Sequence, residues 1–206
     1  FTSLPKASFH TIFKKDLFEI ETNREDYSAE SVVIATGGIS IPKMGATDFG
    51  YKIAKQFKIN LTEVYPALVP FTFSGENKKM FADISGVSID SEVSCNGVTF
   101  RENILFTHKG MSGPAILQIS SYWEKGKPIS LNLLPDNNFY EILKENSSVK
   151  TELANFLSAY FPKRFAQAFT ENYFPSKPLL NYSDKYLKLI SDKIHNWELT
   201  PSGTEG

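Results

Sequence analysis

Val32, Val33, Ile34 and Ala35 run straight into Thr36, Gly37 and Gly38. Four consecutive small or branched apolar residues are apolar on both faces when extended. Such a run predicts a buried, central, parallel strand. The two glycines let the backbone leave that strand with dihedrals closed to other residues and pass close to something bulky. In α/β sheets, ligands sit at the carboxyl ends of strands. The turn Ala35-Thr36-Gly37-Gly38 is therefore a candidate ligand-facing turn. The competing reading is a buried strand with a tight glycine turn and no ligand, and the local pattern alone supports both.

The flanks of this motif give it a context. Residues 8–23 carry two short alternating patterns, Phe9 to Phe13 and Leu17 to Thr22, with Lys14-Lys15-Asp16 as the turn. They predict a small antiparallel hairpin or meander. After the glycines, Asp48 can cap a helix to about Lys58. Phe49, Ile53 and Phe57 would share one apolar face with Ala54 beside them. A strand, a glycine turn and a helix in close succession make half of a βαβ unit.

From Thr62 the texture changes. Val64 to Phe73 is rich in strand formers but broken by Pro66 and Pro70, and prolines confine a run to an edge strand or its entrance. Further strand patterns cover Val87–Cys95, Val98–Phe100, Ile104–Thr107 and Ile129–Leu134. Asn96-Gly97 between two of them predicts a type I′ hairpin turn. Short strands with tight turns predict a small antiparallel sheet or barrel. One helix interrupts it, from a Ser112 cap through Pro114 in the first turn to about Trp123.

Phe139 to Trp197 reads as four short helices. Phe139–Lys144 is the first. Leu153 to Phe161 marks a second, ended by Pro162. Phe165, Phe169 and Tyr173 mark a third, ended before Pro175. Leu187, Ile190, Ile194 and Trp197 mark a fourth, which Ser183 can cap. Aromatic stripes at this spacing are core-forming.

Composition excludes several classes. A net charge of −1 argues against a general electrostatic grip on nucleic acid or on an anionic membrane. No apolar stretch approaches the roughly 18 residues of a membrane span. Cys95 is the single cysteine, so no intrachain disulfide forms and a reducing, cytoplasmic setting is expected. The chain opens on Phe1 and stops in the turn-rich Thr200–Gly206, and both ends read as cut from a longer protein.

A second constellation is Phe106-Thr107-His108-Lys109-Gly110-Met111-Ser112-Gly113-Pro114. It reads as a strand, a glycine-containing loop and a helix start. Free N–H groups at a helix start, with His108 and Lys109 nearby, suit a phosphate, a carboxylate or the polar edge of a cofactor ring. An ordinary strand-to-helix turn with an exposed Lys accounts for the same residues. His10 and His195 have no partner at metal-ligand spacing, so no metal site is expected. There is no G-x-S-x-G, no P-loop and no G-x-G-x-x-G. A chain binding a dinucleotide by itself would be expected to carry the last of these.

Three blocks in order, VVIATGGISIPKMGATDFGYKIAKQF, ILFTHKGMSGPAILQISSYW and WELTPSGTEG, resemble signatures of the YhiN/BaiN-type NAD(P)/FAD-dependent oxidoreductases. The resemblance spans nearly the whole chain and is weakest from about Phe139 to Lys193. It implies an α+β, multi-part fold. Residues 1–61 would be the tail of a Rossmann-like FAD-binding segment and 62–135 a β-barrel insert. Residues 136–197 would be a helical subdomain of that insert, and 198–206 the start of a return to the FAD domain. It also implies FAD as cofactor in the intact protein, NAD(P)H as a candidate electron donor, and a small organic molecule as substrate. Ala35, Thr36, Gly37 and Gly38 would approach the flavin. Thr107, Gly110, Ser112 and Gly113 would form a loop on the substrate side. His108 and Lys109 are the weak candidates for catalysis.

The family's N-terminal glycine fingerprint and its closing C-terminal segment are absent from these 206 residues. The chain by itself is therefore expected to hold little or no FAD. Two other classes compete with the enzyme reading. In one, the insert binds a macromolecule through Lys150, Lys163, Arg164, Lys185, Lys188 and Lys193. The acidic residues interleaved with these favour a solvated mixed surface over a nucleic-acid site. In the other, the insert is a structural lid without chemistry of its own.

Overall fold

The computed structural model describes residues 9–40 and 44–205, and the side chains of all of these except Phe9 and His10. The part of the first block at 41–43, the opening residues 1–8 and Gly206 lie outside the described residues. The chain folds as two units, Phe1–Val64 and Tyr65–Gly206.

In the first unit β1 (Phe9–Lys14), β2 (Phe18–Thr22) and β3 (Tyr27–Ala29) form an antiparallel meander in that order. The expected hairpin is there, with Ile12 opposite Ile20. α1 runs Phe49–Gln56 behind Asp48, whose carboxylate pairs with Lys52 one turn on instead of capping a backbone N–H. Its apolar face meets the meander. Phe57 packs edge-on against Phe18 at 5.8 Å, and the Gln56 amide donates to the Ile12 carbonyl.

The expected strand at Val32–Ala35 is not formed. Residues 31–38 have no regular structure and pair with no strand, with Val33 86% and Ile34 39% exposed. A strand exists only where its N–H and C=O groups find a ladder. β3 ends at Ala29, and no other strand among the described residues lies beside the run. A Rossmann-like segment is thus not seen here; the unit's sheet is antiparallel.

In the second unit seven strands form one antiparallel sheet. They are β4 (Phe71–Thr72), β5 (Ser88–Cys95), β6 (Val98–Thr107), β7 (Gly110–Ser112), β8 (Ile129–Asn132), β9 (Trp197–Leu199) and β10 (Gly203–Thr204). Their order is β10-β4-β7-β6-β5-β8-β9. β5 and β6 meet through Asn96-Gly97, both at positive φ (49° and 78°), as a type I′ turn requires. β6 is one continuous strand where two were expected. Its polar middle, Arg101-Glu102-Asn103, stays paired to β5 with its side chains outward, and Arg101 bonds Asp90 and Asp136 there. Residues 198–206 were expected to start a return to the FAD domain and Trp197 to close the helical subdomain, whereas β9 and β10 supply both edges of this sheet. The Glu205 N–H reaches the Pro70 carbonyl at 3.0 Å, and Ser202 N–H reaches Thr72 at 2.8 Å.

Among the described residues six α-helices accompany the sheet, α2 (Gly75–Asp83), α3 (Pro114–Ser120), α4 (Phe139–Glu145), α5 (Leu153–Leu157), α6 (Lys163–Tyr173) and α7 (Asp184–His195), with a 3-10 turn at Leu179–Asn181. α2 was not foreseen. α4 to α7 fall at the four expected helices, and α7 starts behind Ser183 as expected, but α5 stops short of Tyr160 and Phe161, and Trp197, expected on the fourth helix, lies in β9. The core is a ring of aromatics around the fully buried Trp197. Phe81, Phe106, Phe165, Phe169 and Tyr173 all stand within 6.3 Å of it, centroid to centroid.

Candidate functional site

The glycine turn comes first. Gly37 adopts φ +73°, and a Cβ built on it would meet nothing within 4 Å. Gly38 and Gly50 face each other's neighbourhoods across α1. A Cβ on Gly38 would touch the Tyr51 hydroxyl at 3.5 Å, and one on Gly50 would touch Ile34 and the Thr36 hydroxyl at 3.7 and 3.8 Å. The turn therefore rests against the start of α1 with its outer side open. Ala35, Thr36, Gly37 and Gly38 are all exposed. Along α1 an open groove of about 500 Å³ is lined by Asp48, Tyr51, Lys52, Lys55 and residues 61–64; residues 35–38 do not line it. Among the described residues, no buried side-chain polar atom lacks a partner. The four residues of the turn lie on an open surface.

The second constellation folds differently from its sequence reading. Thr107, His108, Lys109 and Gly110 form a two-residue hairpin turn between β6 and β7. The Thr107 hydroxyl accepts from the Gly110 N–H at 3.1 Å and from the Lys109 N–H at 3.4 Å. Ser112 is a β7 residue. Gly113 at φ +96°, not Ser112, precedes Pro114 at the start of α3. β7 thus separates His108 and Lys109 from that helix start. His108 is exposed at the hairpin tip, and Lys109 pairs with Glu205 at 2.9 Å.

The two glycines of this segment are packing positions. A Cβ on Gly110 would stand 2.2 Å from the Phe71 carbonyl oxygen, and one on Gly113 would stand 2.6 Å from that of Asn103. Both contacts are backbone, so neither can yield cheaply. Thr107, Gly110 and Gly113 therefore build the β4-β7-β6 register.

The helical layer brings together residues that the spacing left apart. The Lys177 ammonium lies 4.5 Å from the Tyr182 ring centroid and 5.3 Å from that of Tyr186, and the two rings are 6.1 Å apart. Tyr182 is buried and donates to the Pro175 carbonyl. Burial, with the nearby Glu152 charge, pushes its hydroxyl up to about 12. Tyr186 is 41% exposed and Leu189, one turn on, 47%. A sequence signal existed: Lys177, Tyr182, Lys185, Tyr186 and Lys188 interleave cations with aromatics.

Two of the basic residues grouped by sequence belong to the structure itself. The Arg164 guanidinium donates to the carbonyls of Asp83 and Ser85 at the end of α2. Lys193 lies 4.5 Å from the Tyr173 ring, and burial holds its ammonium below the usual lysine range. His195 is a tie between elements. Its Nε2 accepts the Phe139 N–H at 3.2 Å, which leaves Nδ1 to donate to Asn132 Oδ1 at 2.9 Å. Among the described residues no cluster of His, Cys, Asp and Glu could hold a metal ion, and no helix is long and apolar enough to cross a membrane.

Residues 65–206 match the HI0933-like protein barrel and H2TH domain. The chain belongs to the HI0933-like family. Its second unit is this domain, found in YhiN/BaiN-type flavoproteins. Curated relatives extend the likeness into the first unit. The chain is 39% identical over 193 residues to the ribosomal RNA dihydrouridine synthase of Escherichia coli K12, covering 92% of this chain and 48% of the relative. It is 38% identical over 197 residues to the like-named protein of Haemophilus influenzae, covering 94% and 49%. It is 26% identical over 163 residues to a 3-dehydro-bile acid delta(4,6)-reductase of Clostridium scindens, covering 71% and 39%. The chain spans about half the length, or less, of the curated relatives it matches. The HI0933-like assignment links it at family level to flavoprotein oxidoreductases.

Proposed function

We propose that this chain is part of a flavoprotein that reduces uridine in ribosomal RNA to dihydrouridine. The observation that carries the reading is identity at 39% and 38% across more than nine-tenths of the chain, to two proteins that both bear that name. The bile-acid reductase is more distant and matches less of the chain. All three names describe adding two hydrogens across a carbon–carbon double bond. In uridine this is the C5–C6 bond, conjugated to the C4 carbonyl. The small organic substrate expected from the sequence thus becomes a base within a large RNA.

FAD is the proposed cofactor, with a nicotinamide donor to recharge it. A flavin supplies the two-electron chemistry, and the protein's part is binding, orientation and electrostatics. In the proposed division of labour, residues 35–38 give one wall of the flavin site and the HI0933-like unit positions the RNA.

The test is a hybrid in which this chain replaces the matching segment of the Escherichia coli relative, expressed in a strain lacking that relative. Ribosomal RNA is digested and its dihydrouridine measured by mass spectrometry. Restored dihydrouridine is expected. A hybrid that purifies with its flavin yet restores none overturns the proposal.

A further inference from the structure

Arg164 and Lys193 are committed to other groups. The start of α7 instead gathers basic side chains beside an exposed aromatic ring. Among the described residues Lys177, Lys185 and Lys188 make no ion pair, and Lys150 lies in the segment whose backbone bonds Leu179 and Leu180. Three carboxylates lie in the same layer: Asp184, which accepts the Tyr140 hydroxyl at 2.8 Å, Glu152, which accepts the Ser176 hydroxyl at 3.4 Å, and Asp192 further along α7. Tyr182 forms a buried floor, Lys177 lies over it, and the Tyr186 ring stands beside them with much of its surface in solvent. A part-exposed aromatic ring flanked by ammonium groups that make no ion pair matches the two chemistries of single-stranded RNA: ammonium groups meet phosphates, and a flat ring stacks on a base.

We infer that the outer face of α7, with Lys177, Lys185, Tyr186 and Lys188, is a contact surface for unpaired RNA. Tyr186 takes a base on its open face, and the three lysines take flanking phosphates. This rests on the ribosomal RNA reading above. The side chains are already placed by packing: Lys177 is held over Tyr182, and Tyr182 is held by its bond to Pro175. Little side-chain freedom remains to be lost at Lys177 on binding.

The experiment measures fluorescence anisotropy of a labelled, uridine-rich single-stranded RNA against the 206-residue chain over a salt series. Binding that weakens with salt is expected. The double variant Lys185→Glu/Lys188→Glu should lower affinity at least tenfold and flatten the dependence of log affinity on log salt by about 1.4, from two lost phosphate contacts. Tyr186→Ala should lower affinity by about five- to a hundredfold, whereas Tyr186→Phe, which keeps the ring, should bind as the parent does. Lys125→Glu/Lys127→Glu, an equal charge change outside the helical layer, should leave affinity within twofold of the parent after salt correction. Circular dichroism melts establish that each variant is folded. No binding at low salt overturns the inference. So does parent-like binding by Lys185→Glu/Lys188→Glu, an equal loss in the Lys125/Lys127 control, or preference for anionic vesicles over RNA. The two proposals fail separately: restored dihydrouridine with no RNA contact at α7 removes only this one, and RNA binding at α7 without dihydrouridine removes only the other.

Discussion

The indole N–H of Trp197, on the edge strand β9, donates to the hydroxyl of Tyr173, the last residue of α6, at 3.2 Å. Trp197 is wholly buried, so this bond satisfies a donor that water cannot reach. The Tyr173 hydroxyl in turn donates a hydrogen bond to Asn77 Oδ1 on α2 at 3.4 Å. A strand and two helices thus share one polar thread inside an aromatic core. Truncating Trp197→Ala should cost about 3–5 kcal/mol through lost contacts and a cavity. Tyr173→Phe keeps the ring but orphans the indole N–H, at a cost of about 1–3 kcal/mol. Urea denaturation of the chain measures both, and an unchanged midpoint for Trp197→Ala would contradict this account of the core.

Gly110 and Gly113 should be intolerant of a methyl group, and Gly97 much less so. The added Cβ meets backbone at 2.2 and 2.6 Å in the first two, and nothing within 4 Å in Gly97. Gly97→Ala carries only the strain of its positive φ, about 1 kcal/mol. Gly110→Ala must push β4 away from β7 and should lose clearly more. Thermal melts of the three alanine variants rank them. Equal losses would show that conformation, not contact, sets the need for glycine at 110.

His195 makes stability depend on pH. Burial holds its imidazole below the ordinary value of 6.5, outweighing the opposing pull of Asp192. The unfolded chain therefore takes up a proton at a higher pH than the folded one, and stability rises with pH across that window. The contribution is complete above about pH 6.5 and is lost as pH falls through the lowered folded value. Protonated Nε2 could no longer accept the Phe139 N–H. Denaturant midpoints taken from pH 8 down to pH 5 should fall, and His195→Gln should flatten that fall.

The purified 206-residue chain should be colourless. Residues 35–38, which are proposed to face the flavin in the intact protein, are all exposed. A visible flavin band near one equivalent would overturn the expectation that the chain alone does not retain FAD.

What could be read in advance depended on how local the cause was. Asn96-Gly97 was legible because a type I′ turn needs positive φ at two adjacent residues and few sequences supply that. α6 and α7 were legible because Phe165, Phe169 and Tyr173, and Leu187, Ile190 and Ile194, repeat at the helical period. α2 escaped because its buried residues Met80 and Phe81 are adjacent, so its polar start carries no stripe. Val32–Ala35 misled for the opposite reason. Its pattern states what the run would do beside other strands, and none of the described residues provides one. Ser112 has the chemistry of a cap, but pairing with Leu105 in the β6–β7 ladder draws it into a strand and leaves Gly113 at the helix start. The Lys177–Tyr182–Tyr186 cluster needed the turn at Leu179–Asn181 to fold Lys177 back over the rings, and no periodicity reports that.

The bond from Glu205 to the Pro70 carbonyl has a meaning beyond the sheet edge it closes. β4 and β10, the first and last strands of the HI0933-like unit in chain order, lie side by side there, and each holds the other in the sheet. Loss of β10 bares the polar edge of β4, so two segments far apart in the chain loosen together.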